Sequence, residues 1–174
     1  SPGGKYPVIK SATNGKYLEM TIWGLKPSWA KEDFRPLHNA RLEGIDTKVS
    51  FKKLIVNSRA VIPCSGYYEW QKAENKKIPY YFTKVDDQDI FLAGIHDNGQ
   101  FCIITRDAES KNSEVHHRQP VIIQKSQINN YFNLNNNAVE FLNNVNPPKL
   151  KFFEISTDVN NPAKNDPSII NPVK

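Results

Sequence analysis

The chain has 174 residues, 39 % of them hydrophobic and 24 % charged, ordinary values for one globular unit with a buried core. No apolar run reaches the length of a membrane span, and no signal-peptide pattern is present. The formal net charge of +5 favours an anionic partner such as nucleic acid, although the lysines are scattered (Lys52-Lys53, Lys76-Lys77, Lys149, Lys151) and form no dense basic tail.

In chain order, Tyr6-Pro7-Val8-Ile9 is a short apolar run, and Asn14-Gly15 is a strong hairpin turn. Leu18, Met20 and Ile22 then alternate with Glu19, Thr21 and Trp23, which predicts a half-buried strand ended by Gly24 and Pro27. Ser28 can cap a short helix at Trp29-Ala30-Lys31-Glu32, with Glu32 in reach of a reciprocal cap. Residues 34–49 read as irregular, and 50–55 as a helical turn or two. Strands are expected at 60–63, 67–71, 79–85, 90–95 and 101–105, separated by turns at Glu74-Asn75, Asp86-Asp87 and Asn98-Gly99. Val121-Ile122-Ile123 is a further strand. A helix is expected from Ser126 through Phe132, and a second over 138–142 closed by Pro147-Pro148. Leu150 to Ile155 alternates as a late strand, and the Asn- and Pro-rich tail from Asn160 reads as an ordered irregular strap. No repeat and no linker divides the chain. The sum is a single α+β domain over residues 1–174, mainly antiparallel strands in a barrel-like core with short flanking helices.

The two cysteines, Cys64 and Cys102, lie in separate apolar strands and read as reduced core residues. They lack the spacing of a zinc site, and neither a glycine-rich phosphate loop nor a Gly-x-Ser-x-Gly elbow occurs. Three polar stretches are not needed by the strand pattern: His38-Asn39-Ala40-Arg41, Glu69 between Tyr68 and Trp70, and His116-His117-Arg118-Gln119-Pro120. A strand carboxylate on an inward face is expensive unless it is paired or used. Taken alone, Glu69 can equally point to solvent while Tyr68 and Trp70 face the core. His moves protons near neutral pH, Glu does so when its pKa is tuned, and arginines beside such groups suit phosphates. Each has a plain structural reading as well: His116 as a satisfied histidine, Arg41 as a salt-bridge partner, and Trp23 and Trp29 as core rather than base-stacking indoles.

Taken together, the ordered blocks are more specific. Trp23-Gly24-Leu25-Lys26-Pro27-Ser28-Trp29 is followed by Asn39-Ala40-Arg41, then Ile62-Pro63-Cys64-Ser65-Gly66-Tyr67-Tyr68-Glu69-Trp70, Ile78-Pro79-Tyr80-Tyr81, Phe101-Cys102-Ile103-Ile104-Thr105 and His116-His117-Arg118-Gln119-Pro120. This series resembles the SRAP family, the SOS-response-associated peptidases, from about Pro2 to the end. The resemblance implies recognition of abasic sites in single-stranded DNA and a covalent DNA–protein crosslink. In the family, an amino-terminal cysteine attacks the sugar aldehyde and closes a thiazolidine, with associated lyase and self-processing peptidase activity. It further implies that Asn39 positions the nucleophile, Glu69 handles protons and His116 assists ring opening and reversal. Arg41 and Arg118 would hold phosphates, Trp29 would contact DNA beside the lesion, and Pro2 would lie in a rim loop. The family's cysteine belongs some thirty or more residues before the equivalent of Pro2, so the nucleophile is expected outside this sequence. Neither Cys64 nor Cys102 matches it, and Gln119 stands where the family usually has Met or Arg. No cofactor and no metal are expected. The partner is single-stranded DNA with abasic sites, replication-fork proteins are admitted, and a monomer is expected. The compartment is bacterial cytoplasm, or the nucleus in a eukaryote. A non-catalytic single-strand-binding module and a peptidase acting on other proteins are the competing readings.

Overall fold

Strand β1 (Lys5–Ala12) turns directly into β2 (Gly15–Trp23), with Ala12 opposite Gly15 and Lys5 opposite Ile22. Gly15 has a φ of 119°, a conformation that glycine adopts without strain, and it lets the pairing begin immediately after Asn14. The computed structural model describes every residue except Asn75, Pro162 and Lys174, with Ser110 described by its backbone alone. The expected turn at Glu74-Asn75 and the tail from Asn160 each include one or more of these and to that extent lie outside the described residues. The fold is α+β, mostly strand with few short helices, as the sequence predicts.

The remaining elements follow in order. Strand β3 is Asn39–Arg41, helix α1 Leu54–Asn57, β4 Arg59–Cys64, β5 Gly66–Ala73, β6 Lys76–Lys84, β7 Ile90–Asp97 and β8 Gln100–Asp107. Then come β9 Arg118–Pro120, β10 Ile122–Ile123, α2 Ile128–Phe132, α3 Ala138–Asn144 and β11 Leu150–Glu154. Short 3-10 turns cover Ser110–Glu114, Lys125–Gln127, Thr157–Asn160 and Pro167–Ile170. Contacts divide the chain into two compact units. The first is Ser1–Pro63, Phe91–Arg106 and Pro120–Pro148; the second is Cys64–Ile90, Asp107–Gln119 and Lys149–Lys174. They alternate along the sequence, so no single linker marks a boundary between them.

The first unit is built on the larger sheet, in which seven strands are ordered β10-β7-β4-β1-β2-β8-β3, with an additional β7–β8 pairing that closes the ladder on itself. The β7–β8 connection is the Asn98-Gly99 turn, both residues at positive φ (46° and 72°) between paired Asp97 and Gln100. That is the turn chemistry a tight hairpin requires. Strands β2 and β3 join β8 in parallel, and the other registered pairs of this sheet are antiparallel. Leu25, Ala40, Ile45, Ile95, Ile104, Tyr131 and Leu142 are fully buried in its core.

One buried charge organises the helical side of this unit. Arg59 is only 4 % exposed, and among the described residues no carboxylate lies within ion-pair distance of it. Its guanidinium instead donates to the carbonyls of Ile55, Tyr131, Asn133 and Asn136 at 2.8–2.9 Å, tying the ends of α1 and α2 and the start of the turn before α3 together. The Tyr131 hydroxyl in turn donates to the Gly94 carbonyl at 2.8 Å.

Two sequence expectations fail here. Leu18 and Met20 are not buried but 63 % and 58 % exposed, while Thr21, Val8 and Lys10 are inside. The register with β1 sets Leu18 beside Ile9, which packs against the core, and Met20 beside Pro7, yet the two β2 side chains themselves stay mostly in solvent. The opposite face buries Lys10, whose ammonium donates to Glu19 at 2.9 Å. Alternation gave the strand correctly and its inner face wrongly. The helix expected over 29–32 is a pair of turns, closed by Ala30 N–H to the Pro27 carbonyl and Phe34 N–H to the Lys31 carbonyl. The Lys26 ammonium takes the Glu32 carbonyl at 2.7 Å, and Pro27 and Pro36 bracket the segment.

The second unit holds the three-stranded sheet β11-β6-β5, antiparallel throughout. Gly66 opens β5 because nothing larger fits: a Cβ there would lie 2.3 Å from the Phe82 carbonyl oxygen and 2.4 Å from the Tyr81 ring. Arg59→Ala is expected to destabilise the fold by about 3 kcal/mol, because buried carbonyls lose their donors. Urea unfolding monitored by circular dichroism checks this, and a loss below about 1 kcal/mol would show that water replaces the guanidinium.

Candidate active site

In the second unit, rings cover both faces of the small sheet. On one face Tyr67, Phe82 and Phe152 stack across the strands, with centroids 4.9 Å apart at each step. On the other, Tyr68, Tyr81 and Phe153 pack at 5.5 and 6.0 Å. Strand alternation places Glu69 on the face of Tyr67, directly opposite Tyr80. Its side chain is 24 % exposed. Glu69 therefore does not sit in open solvent while its aromatic neighbours form the core. Desolvation raises its carboxyl above the usual carboxylate range, while His116 and the Trp70 amide pull it partly back. Burial, then Glu69 and Cys64, push the Tyr67 phenol well up, so it stays protonated.

His116 is placed by its loop. The Gln71 amide, on the same strand face as Glu69, donates to the Glu114 carbonyl at 2.7 Å. Buried Gln119 accepts from the Asn112 side chain at 2.9 Å and the Glu109 amide at 3.3 Å. The Ala108 amide donates to the His117 carbonyl. His116 Nδ1 then lies 3.7 Å from Glu69 Oε2, beyond hydrogen-bond reach but close enough for charge to couple the two. The same nitrogen meets the Arg118 amide at 3.2 Å and the Arg118 carbonyl at 3.1 Å. In the neutral ring Nδ1 accepts from the amide; in the charged ring Nδ1–H donates to the carbonyl. One imidazole nitrogen thus has a backbone partner in either protonation state. Arg118 is largely buried and donates to Asp107 at 2.6 Å, whose carboxylate is exposed.

The first unit carries Pro2, Trp23, Trp29, Asn39, Arg41 and Cys102 among the residues named from sequence. Alternation along β3 buries Ala40 and exposes Asn39 and Arg41 on one side. Parallel pairing with β8 fixes this short strand: Asn39 with Ile103, Arg41 with Thr105. Trp29 is 57 % exposed and is braced edge-on by Phe34 at 5.8 Å. Trp23 is instead structural: its indole N–H donates to the His38 carbonyl, and its ring stacks on Phe101. Pro2 is exposed in the turn before β1. Cys64 and Cys102 are free, and burial pushes both thiols up to about 12, which disqualifies them as nucleophiles near neutral pH. Sequence reasoning missed Gln71 and Asp107, and it noted Gln119 only as a departure from the family pattern, not as a residue that holds the loop. Only Gln71 had a signal, its two-residue spacing from Glu69. Among the described residues no group of His, Cys, Asp and Glu is arranged to hold a metal ion, and no helix is long and apolar enough to cross a membrane.

These features belong to a known class. The family model of the SOS response associated peptidases (SRAP) matches residues 1–162, and the chain belongs to that family. The chain is 29 % identical over 180 residues to the abasic site processing protein YoqW of Bacillus subtilis, covering 94 % of this chain and 80 % of that one. It is 32 % identical over 131 residues to the abasic site processing protein YedK of Escherichia coli, covering 71 % of this chain and 58 % of that one. A crystal structure of a protein from Bacteroides thetaiotaomicron superposes with a TM-score of 0.87 at 28 % identity, over 99 % of this chain and 82 % of that one.

Two outcomes are expected of the Glu69–His116 pair. Because the folded-state pKa of Glu69 is raised, the native protein holds a proton that the unfolded chain has lost between the ordinary carboxylate value and the raised one. Stability therefore falls as pH climbs through that window. Glu69→Gln should melt at a higher temperature than wild type at pH 7, with the difference narrowing to nothing below the ordinary carboxylate range. In His116→Ala the Glu69 carboxyl should titrate at still higher pH, read by carbon-detected NMR; an unmoved titration would show that the two groups are not coupled.

Proposed function

We propose that this chain recognises an abasic site in single-stranded DNA and captures its sugar aldehyde covalently. The observation that carries this reading is Glu69, desolvated among aromatic rings yet 3.7 Å from His116. Family membership and the names of the relatives support it. A primary amine adding to the open-chain aldehyde gives a carbinolamine, and loss of water gives an imine. The departing hydroxyl needs a proton, and a carboxylic acid that keeps its proton above the usual range supplies one. A thiol beside the amine then adds its S–H across the C=N bond and closes a thiazolidine. From the imine, removal of a sugar proton would instead cleave the strand, which is the lyase branch. The amine and thiol are assigned to a terminal cysteine. Asn39 positions that nucleophile, and His116 opens the sugar ring and assists reversal. Arg41 and Arg118 hold phosphates, Trp29 and Pro2 contact the strand, and self-processing that uncovers the cysteine is the peptidase activity.

Asp107 adds a point that the sequence did not suggest. Its exposed carboxylate competes with DNA phosphate for the Arg118 guanidinium. Asp107→Asn should therefore tighten binding of an undamaged single strand several-fold at low salt, by anisotropy titration; weaker binding would mean that Asp107 instead holds Arg118 in its working position.

The direct test uses the full-length gene product with its native terminus and an oligonucleotide bearing one abasic site. A band that survives denaturation, formed about 100-fold more slowly in Glu69→Gln, is expected. Binding without crosslink or cleavage would leave a non-catalytic single-strand module as the better account. Cleavage of added proteins without reaction at DNA would favour the peptidase.

A further inference from the structure

The second unit buries one hydroxyl that no step above uses. The oxygen of Tyr67 is closed off from solvent, and among the described residues it has no hydrogen-bond partner. A buried donor left unpaired destabilises a fold, so its presence needs a reason. Packing does not supply one. The Tyr67 ring stacks on Phe82 at 4.9 Å with the planes 12° apart, and a phenylalanine would stack equally well.

The position of the hydroxyl is specific. Tyr67 and Glu69 are two residues apart on β5 and share a face of the sheet. Tyr80 and Glu154 lie in the same cross-strand row as Glu69, and Lys76 and Lys84 stand toward the two ends of that face. His116 approaches from its loop, and Cys64 ends β4. Of these groups, Glu69 and Cys64 act on the Tyr67 phenol, and His116 acts on Glu69. Burial and its two neighbours keep the phenol protonated, so it can give a hydrogen bond but not its proton.

Glu69 is the group short of donors. Its carboxyl accepts from the Trp70 amide, and His116 stands at 3.7 Å, beyond hydrogen-bond reach. An ionised carboxylate has room for about four hydrogen bonds. Once Glu69 has given its proton to the departing hydroxyl, which leaves as water, a carboxylate remains in a desolvated place. The Tyr67 hydroxyl is a buried donor on the same face, free to turn toward it.

We propose that Tyr67 is a positioning residue for the covalent reaction: its hydroxyl bonds to the Glu69 carboxylate formed as the carbinolamine loses water, and this makes Glu69 the stronger acid. The role rests on the reading of this chain as an aldehyde-capturing protein. Tyr67 keeps its own proton throughout and makes no contact with DNA.

The test is Tyr67→Phe in the full-length gene product, with two readouts. Carbon-detected NMR follows the Glu69 carboxyl, and single-turnover reaction with a saturating abasic oligonucleotide gives the rate against pH. Without the hydroxyl the carboxylate is less favoured, so the Glu69 titration should move up by about one pH unit. The alkaline limb of the rate profile should move with it, and the plateau rate should fall about ten-fold. In the Glu69→Gln background the same substitution should leave the residual rate unchanged. Because the hydroxyl has no partner while Glu69 is protonated, Tyr67→Phe should melt at or above the wild-type temperature below the ordinary carboxylate range. An unmoved titration or an unmoved rate profile would overturn the role and leave the function standing. So would loss of the fold in Tyr67→Phe, or an equal rate loss in Glu69→Gln, since the hydroxyl would then act elsewhere. Failure of wild type to react with the abasic strand would remove both.

Discussion

A carboxylate in contact with aromatic rings is poorly solvated, and much of the second unit is arranged so that Glu69 nevertheless stays there. The ladder of Tyr67, Phe82 and Phe152 restricts water on its face of the sheet. The register that pairs Glu69 with Tyr80 fixes which face that is. The consequence is a proton held more tightly than a solvated carboxyl would hold it, balanced by an imidazole close enough to pull some of that shift back. Besides its backbone bonds, the loop bearing the imidazole is tied by the side chains of Gln71 and Gln119, and so the spacing of the pair rests in part on two amides.

The first unit solves a different problem. Arg59 brings a full charge into the interior without an ion-pair partner among the described residues and disperses it over backbone carbonyls. Those carbonyls lie at or near the ends of short helices, where the helices leave them without internal partners. The guanidinium therefore satisfies groups that helices of only four and five residues could not satisfy among themselves. This is how a unit rich in strand keeps brief helices in place while β3, only three residues long, exposes Asn39 and Arg41.

Much of this was legible beforehand, and the limits were physical. Turn residues with distinctive backbone needs, Asn98-Gly99 above all, marked the hairpins correctly, and runs such as Val121-Ile122-Ile123 marked buried strand. The face occupied by Glu69 was not legible, because Tyr67 and Tyr68 are aromatic neighbours on opposite faces and alternation cannot choose between them. The exposed side of β2 was misjudged for the same kind of reason: a leucine and a methionine at alternate positions say that one face is apolar, not that anything covers it. Arg59 gave no signal at all, since its acceptors are backbone groups more than seventy residues on in the chain, apart from Ile55. The site residues were legible only as an ordered set. His116 and Glu69 are 47 positions apart in sequence, and their proximity follows from the tethered loop rather than from any spacing.

The uncovered side of the first hairpin has a chemical consequence. Met20 is the chain's one methionine, and its thioether stands mostly in solvent on that face. Peroxide can reach it without opening the core, and conversion to the sulfoxide would add a single, mass-resolvable polar group at one known place. Anything that settles over Leu18 and Met20 would slow that conversion. The sulfur is thus a built-in reporter of whether this strip of sheet is bare or covered in the cell.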